Sequence, residues 1–296
     1  MGMKTLVIYH AHCTDGLGAA WAAWKRFGSD AEYVPMSYNR APPDVVGRDV
    51  YLLDFSFKRS VVEQLCEFAD HVTIVDHHKT AIEEWVDSEG EKIGQYPMNF
   101  HLVYDLRKSG AVLAWDYFMA PFSEPEILRL VQDRDLWQFK HHHTKSLAAY
   151  LKQYCKCIAD FNGAAAAYAN EEARHDILSK GEIIIEAHKQ LIDQMITYAR
   201  LVNLCDNEEE GIDGFYNLTL FSAPGALASD ACDAYLKANP SQLHVASYYD
   251  TADRRVFSLR GNEGVDLTPI AKSFGGGGHA RACSFSVPRE HRLAQV

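Results

Sequence analysis

The stretch Val72-Thr-Ile-Val-Asp76-His77-His78 decides how this chain is read. Four β-branched residues in succession read as a buried strand, and the run stops abruptly at one carboxylate and two imidazoles. The carboxyl ends of parallel strands in an open α/β sheet face the binding crevice. Adjacent Asp and His residues at such a tip can hold a metal or move a proton. The plain alternative is a charged strand end without chemistry.

The flanking sequence repeats the pattern. Lys4 to Tyr9 reads as a first strand and Gly16 to Phe27 as the helix after it, with His10-Ala-His12-Cys13-Thr14-Asp15-Gly16 between them. Tyr33 to Met36 makes a short strand. Asp49-Val-Tyr-Leu-Leu-Asp54 is a clearer one, again ending in Asp, and a helix from about Arg59 to Phe68 precedes Val72. Strand and helix alternate, which predicts a doubly wound, mostly parallel α/β sheet. Three strands then end in His10/Asp15, Asp54 and Asp76/His77/His78. Carboxylates gathered at one sheet edge repel one another unless cations are present. Carboxylate and imidazole donors suit Mn²⁺, Mg²⁺, Fe²⁺ or Zn²⁺, and an Asp shared between two ions suits two-metal phosphoryl chemistry. Farther on, Gly110 to Phe118 reads as helix, and the run from Glu126 carries Asp133 and Asp135, either of which can complete the cluster. His141-His142-His143 reads as a polar loop, because consecutive residues do not share one face of a helix or strand.

From Ser146 the sequence turns helix-forming, with a long stretch from Glu171 to Leu204. Ile183, Ile184, Ala187, Leu191, Met195 and Leu201 keep helical spacing along it. The acidic segment Asp206 to Gly214 marks a boundary. Residues 1–145 are therefore expected to form the metal-binding domain, 146–205 a helical connector, and 206–296 a smaller mixed α/β domain. In that last part, strands are expected at Tyr216 to Phe221, His244 to Tyr249 and Arg255 to Arg260, with helices near Ser229 to Lys237 and Leu267 to Ser273. Near its end stands Phe274-Gly275-Gly276-Gly277-Gly278-His279-Ala280-Arg281. A glycine run lets backbone N–H groups approach an anion, with His279 and Arg281, and Arg260 at the end of the preceding strand, as side-chain donors. A flexible hairpin is the plain alternative.

Composition narrows the functions. The chain has 296 residues, 47% of them hydrophobic, enough for a packed core, and a formal net charge of −11. That sign excludes a surface built to neutralise the phosphates of long duplex nucleic acid, but not a small phosphate substrate. No apolar run approaches the roughly 18 residues of a membrane span. The path from Lys4 through Leu6-Val7-Ile8 to His10 has no signal-peptide core. A cytoplasmic location is the expectation, and seven Cys outside any disulfide framework suit a reducing compartment. Cys155-Lys156-Cys157 lacks the second pair a zinc site needs.

With these residues laid out, the chain resembles the DHH-family phosphoesterases that carry a DHH-associated C-terminal domain. Asp76-His77-His78 matches the naming motif, Asp54 the second-strand Asp, Asp133 or Asp135 the fourth motif, and Gly275 to His279 the Gly-rich substrate loop. The resemblance implies two divalent ions, Mn²⁺ first, and hydrolysis of phosphoester or phosphoanhydride bonds. It implies His10, Asp15, Asp54, His77 and Asp133 as metal ligands, with Asp76 and His78 in catalysis, His78 polarising the substrate or its leaving group. Arg260, Gly276, Gly277, Gly278, His279 and Arg281 would bind substrate phosphate. The sequence departs from the family where Cys13 stands for the first Asp of the first motif, so that Cys13 is itself a thiolate ligand favouring a softer metal, or His12 compensates, or the site is weakened and one ion remains instead of two, and where Cys283-Ser284 replaces small residues. The expected substrate is a short single-stranded oligonucleotide or a nucleotide, with no duplex and no membrane partner, and a homodimer is left open. The alternatives are a small phosphoanhydride hydrolase and a non-catalytic nucleotide-binding protein with a degenerate metal site.

Overall fold

Residues 3–38, 40–203 and 217–295 are described in this computed structural model. The first half alternates strand and helix as its apolar runs require: β1 (Thr5–His10), α1 (Thr14–Phe27), β2 (Ala31–Met36), β3 (Asp49–Leu53), α2 (Arg59–Phe68), β4 (His71–Asp76), α3 (Lys79–Ile82) and β5 (Phe100–Tyr104). A helical series follows, α4 (Gly110–Met119), α5 (Glu126–Asp135), α6 (Thr144–Tyr154), α7 (Ile158–Ala169) and the long α8 (Glu171–Thr197). Then come β6 (Arg200–Asn203), β7 (Asn217–Ser222), α9 (Ala228–Ala238), β8 (His244–Asp250), β9 (Arg254–Gly261), α10 (Thr268–Ser273), β10 (Gly277–His279) and β11 (Ala282–Pro288). The chain divides into two compact units, Met1–Ile185 and Glu186–Val296. The division falls within α8, inside the 146–205 stretch that the sequence marks as a connector.

In the first unit five strands pair in parallel in the order β2-β1-β3-β4-β5. Strand side chains alternate between faces, and the core follows that alternation. Val7, Tyr9, Leu53 and Val75 pack on one side with α1, α4 and α5. Leu6, Ile8, Leu52 and Ile74 pack on the other with Val62, Leu65 and Cys66 of α2. Both faces are covered, as a doubly wound sheet requires. The strand order reverses between β1 and β3, the switch point where such sheets open a crevice beyond the strand ends.

The second unit has a six-stranded mixed sheet, ordered β10-β11-β9-β8-β7-β6, in which only β7 and β8 run parallel. Across the two units, three elements differ from the sequence expectation or gain detail. The helix expected from Glu171 to Leu204 ends at Thr197, and Arg200–Asn203 pair with β7 as a strand instead. The β5 strand has no counterpart in the sequence reading. The glycine run is partly strand, because Gly277–His279 pair antiparallel with Ala282–Ser284. A Cβ at Gly276 would lie 2.1 Å from the Ser284 carbonyl oxygen, so glycine is required there for close backbone approach. The acidic boundary segment Asp206–Gly214, Leu204 and the expected strand start at Tyr216 lie outside the described residues. No helix among the described residues is long and apolar enough to cross a membrane.

Candidate metal centre

Each strand tip at the switch point is held in place by a local backbone device. After β1 the chain turns through His12, at φ 58°, so that Cys13 becomes the N-cap of α1 and Asp15 lies in its first turn. The turn is tight: a Cβ at Gly16 would sit 2.4 Å from the His10 carbonyl oxygen. After β3, Asp54 takes φ 52°, a left-handed conformation that Asp tolerates better than most residues. Its amide donates to the Val75 carbonyl at 3.0 Å, which ties this tip to β4. The β4 strand then delivers Asp76, His77 and His78. The N-terminus of α4 closes the arrangement from the side. Gly110 N–H donates to Asp15 Oδ2 at 2.6 Å and Ala111 N–H to Asp15 Oδ1 at 3.1 Å, so the positive end of a helix faces a carboxylate. Gly110 permits that approach, since a Cβ on it would lie 2.5 Å from the Asp54 Cβ.

The side chains converge. His77 Nε2 stands 3.1 Å from Asp54 Oδ1, 3.5 Å from Asp135 Oδ2 and 3.6 Å from Asp15 Oδ2. His10 Nδ1 is 3.6 Å from Asp54 Oδ2. Asp76 Oδ1 accepts the His77 and His78 backbone N–H groups at 2.7 and 3.3 Å and lies 2.7 Å from His78 Nδ1. An ionised carboxylate only accepts, so the His78 proton belongs on Nδ1 and the ring is oriented by Asp76. Asp15, Asp54, Asp76 and His77 are all buried.

Burial and like charge set the electrostatics. Burial, then the charges of Asp135 and Asp54, push the Asp15 carboxyl well above its usual range. Burial and Asp54 act the same way on Asp135, against the pull of the neighbouring imidazoles. Burial works against ionised Asp54 too, yet the imidazoles of His10, His77 and His78 beside it hold it well below the usual range. Burial draws His77 down, but its hydrogen bond to Asp54 and the charges of Asp135, Asp54 and Asp15 outweigh this and push it up to about 10. His78 likewise overcomes burial through Asp76 and rises to about 9. The cluster thus attracts positive charge strongly enough to favour protons on His77 and His78.

A divalent cation fits this place better than those protons. Asp54 Oδ2, Asp76 Oδ2, Asp135 Oδ2 and His10 Nδ1 are buried atoms that make no hydrogen bond among the described residues, a costly condition unless something else satisfies them. Donor atoms of Asp15, His77 and Asp135 lie within 4.8 Å of one another, as do those of His10, Cys13 and Asp54, and those of Asp54, Asp76, His77 and His78. Asp54 thus belongs to two of these sets, in the position of a bridge.

The structure brings together His10, Asp15, Asp54, Asp76, His77 and His78, but corrects one residue expected from the sequence. Asp133 faces away from the cluster. Its carboxylate accepts the backbone N–H groups of Lys140 and His141 at 2.9 and 3.1 Å and the Thr144 hydroxyl at 2.5 Å. The chain folds back on it through Trp137 and Phe139, both at positive φ. Asp135, at the end of α5, stands where Asp133 was expected. Helix α4 was legible in the sequence from Gly110 to Phe118, but the closing of the cluster by its N-terminus was missed; the Ser109-Gly110-Ala111 helix start was the only signal for it. Arg260, Gly276, Gly277, Gly278, His279 and Arg281 all belong to the second unit. There the Arg260 guanidinium donates to the Leu259 carbonyl at 2.7 Å and the Ser229 hydroxyl at 2.8 Å, and Gly278 takes φ 131°.

Among solved structures, the DHH domain of a member of the s1p family of ribosomal proteins superposes with a TM-score of 0.65. It covers 98% of this chain and 84% of that one, at 14% identity. The chain has the DHH fold. A second DHH-fold likeness, to RecJ in complex with Mn²⁺ from Thermus thermophilus, has a TM-score of 0.48 at 12% identity, over 96% of this chain and 50% of that one. No protein-family model matches the sequence. An uncharacterized protein of Acanthamoeba polyphaga mimivirus is 25% identical over 296 residues, 94% of this chain. The chain spans 66% of that relative's length.

Proposed function

We propose that this chain is a divalent-metal-dependent phosphoesterase that hydrolyses the phosphodiester or phosphomonoester bonds of short oligonucleotides or nucleotides. The observation that carries this reading is the convergence of four carboxylates and three imidazoles at the β1/β3 switch point, with buried oxygens left without hydrogen bonds. His10, Asp15, Asp54, His77 and Asp135 would hold the metal, with Mn²⁺ first and Mg²⁺, Fe²⁺ or Zn²⁺ as alternatives. Bound there, divalent cations lower the pKa of water and neutralise phosphate charge. Asp54 is common to the His10/Cys13 set and the Asp76/His77/His78 set and would hold them together. Asp76 fixes the His78 ring and its tautomer, so that His78 meets the substrate phosphate or its leaving group in one orientation. The amides of α4 keep Asp15 aligned. In the second unit, Gly276, Gly277, Gly278, His279, Arg281 and Arg260 supply phosphate-binding donors.

The net charge of −11 favours substrates with few phosphates over long duplexes. The test is a Mn²⁺-supplemented hydrolysis panel of dinucleotides, short RNA and DNA, cyclic nucleotides, 3′-phosphoadenosine phosphate and pyrophosphate. Turnover of a nucleotide or short oligonucleotide, lost on chelation, is the expected result. Turnover of pyrophosphate alone makes the chain an anhydride hydrolase, and binding without turnover across the panel makes it a nucleotide sensor.

A further inference from the structure

One residue makes the two donor sets chemically unequal. Asp15, His77 and Asp135 offer two oxygens and a nitrogen, while His10, Cys13 and Asp54 offer a nitrogen, a sulfur and an oxygen. Cys13 is a free thiol at the N-cap of α1, on the turn that β1 and Gly16 hold tightly. Asp54 supplies the second observation. It is 1% exposed, and the oxygen it turns toward His10, Oδ2, makes no hydrogen bond. His10 Nδ1, 3.6 Å away, is also buried without one. The rings of Tyr38 and Phe55 flank His10, with centroids 5.3 and 6.4 Å from its own, so the imidazole is walled on its apolar sides. A thiol, an imidazole nitrogen and a carboxylate oxygen therefore meet at one place, where neither that nitrogen nor that oxygen makes a hydrogen bond.

The geometry points to His10, Cys13 and Asp54 as a thiolate metal subsite that takes a thiophilic divalent cation of the Zn²⁺, Fe²⁺ or Co²⁺ class, beside an oxygen-rich subsite suited to Mn²⁺ or Mg²⁺. The inference rests on the reading of the cluster as a metal centre. Soft sulfur ligands discriminate against Mg²⁺ and Mn²⁺, which prefer oxygen. On binding, the Cys13 thiol gives its proton to solvent and the sulfur keeps the electron pair that it shares with the cation. The consequence is a centre with two different preferences that adjoin where Asp54 meets His77 at 3.1 Å.

The test uses the metal-free full chain and Co²⁺ as an optical probe, so that it does not depend on hydrolysis. Wild type should develop a thiolate-to-cobalt charge-transfer band and release a proton as the subsite fills. Cys13→Ser should lose that band and keep the weaker cobalt bands of the oxygen-rich set. A Cys155→Ser/Cys157→Ser double variant should keep the band, which excludes the other closely spaced thiols. Cys13→Asp should still bind cobalt, without the band, and should lose the preference for Zn²⁺ over Mn²⁺. Cadmium NMR of the wild type reads sulfur ligation directly if a variant fails to fold. The inference is overturned if wild type takes up cobalt with no thiolate band, if Cys13→Ser keeps the band, or if the double variant loses it. Cobalt uptake without the band, together with nucleotide hydrolysis, leaves the phosphoesterase reading intact. A Cys13-dependent band without hydrolysis of any substrate keeps the subsite and removes the phosphoesterase reading.

Discussion

Two carboxylates separated by one residue, Asp133 and Asp135, have opposite environments, and that contrast can be measured. Asp133 ties down the loop after α5 through two backbone amides and Thr144. Asp133→Ala should therefore cost stability, about 1–3 kcal/mol for the buried donors left without a partner, read as a lower thermal midpoint. Asp135 lies among like charges instead. Asp135→Ala should leave stability unchanged or raise it slightly in metal-free protein, because a repulsion is removed, while metal content and turnover fall. Equal stability losses in the two variants would return Asp133 to the metal set. Asp54, in two donor sets, would be the most demanding ligand under the proposed function. Asp54→Ala should lower turnover by about 100-fold or more, given that even a residue behind a ligand is typically worth about 10- to 100-fold. Bound metal measured by elemental analysis should fall with it, and wild-type metal content in this variant would place the centre elsewhere. The sequence could not choose between Asp133 and Asp135, because both end the same helical run. The choice is made by the return of the chain through Trp137 and Phe139, which is a tertiary event.

At the scale of elements, strands with both faces buried were the legible part. Each of β1, β3 and β4 is a short apolar run that stops at an ionisable residue, so both the strands and their tips could be read directly. The β5 strand was not read: Phe100-His-Leu-Val-Tyr104 lies at the sheet edge with only Phe100 buried, and its pattern shows neither a full apolar run nor clean alternation. The β6 strand was hidden for another reason, since Leu201 continues the helical spacing of α8 past its end. Two glycines set how closely elements meet at the site. Gly110→Ala puts a Cβ against Asp54 and should cost about 1–3 kcal/mol by overpacking, with metal affinity falling in isothermal titration because the α4 amides move off Asp15. In the second unit, β8 and β9 are joined by a pH-dependent contact. Hydrogen bonding from Arg255, opposed by burial and helped by Arg289, holds the Asp250 carboxyl down at about 2. An unfolded Asp titrates near about 3.9. The contact therefore stabilises the fold fully above that value and is lost as pH falls toward about 2. Asp250→Asn should lower the thermal midpoint at neutral pH, and the gap from wild type should close across that acid window. A gap constant down to the acid end would mean that packing, not ionisation, carries the effect.

Across the whole molecule, the sign of the charge selects the substrate before any local contact does. A chain with formal net charge −11 repels a polyanion at long range and slows encounter, and at about 0.1 M ionic strength that repulsion is screened beyond about 10 Å. Divalent ions bound in the cluster would reverse the sign locally, so a substrate with one or two phosphates would meet a favourable field only at short range. A longer strand carries further phosphates over the acidic surface. The expected result is an unusual salt response. With divalent metal saturating, kcat/KM for a dinucleotide should hold or rise as monovalent salt increases from low to moderate levels, and the penalty for lengthening the strand should shrink over the same range. A protein that grips nucleic acid through Lys and Arg behaves oppositely, losing affinity with a log–log slope of roughly −0.7 per phosphate neutralised on a single strand. Steady-state kinetics on a length series at several salt concentrations distinguishes the two. A steep fall of kcat/KM with salt would show that a local basic tract, such as the Arg260 and Arg281 region, outweighs the net charge, and would widen the substrate class to longer strands.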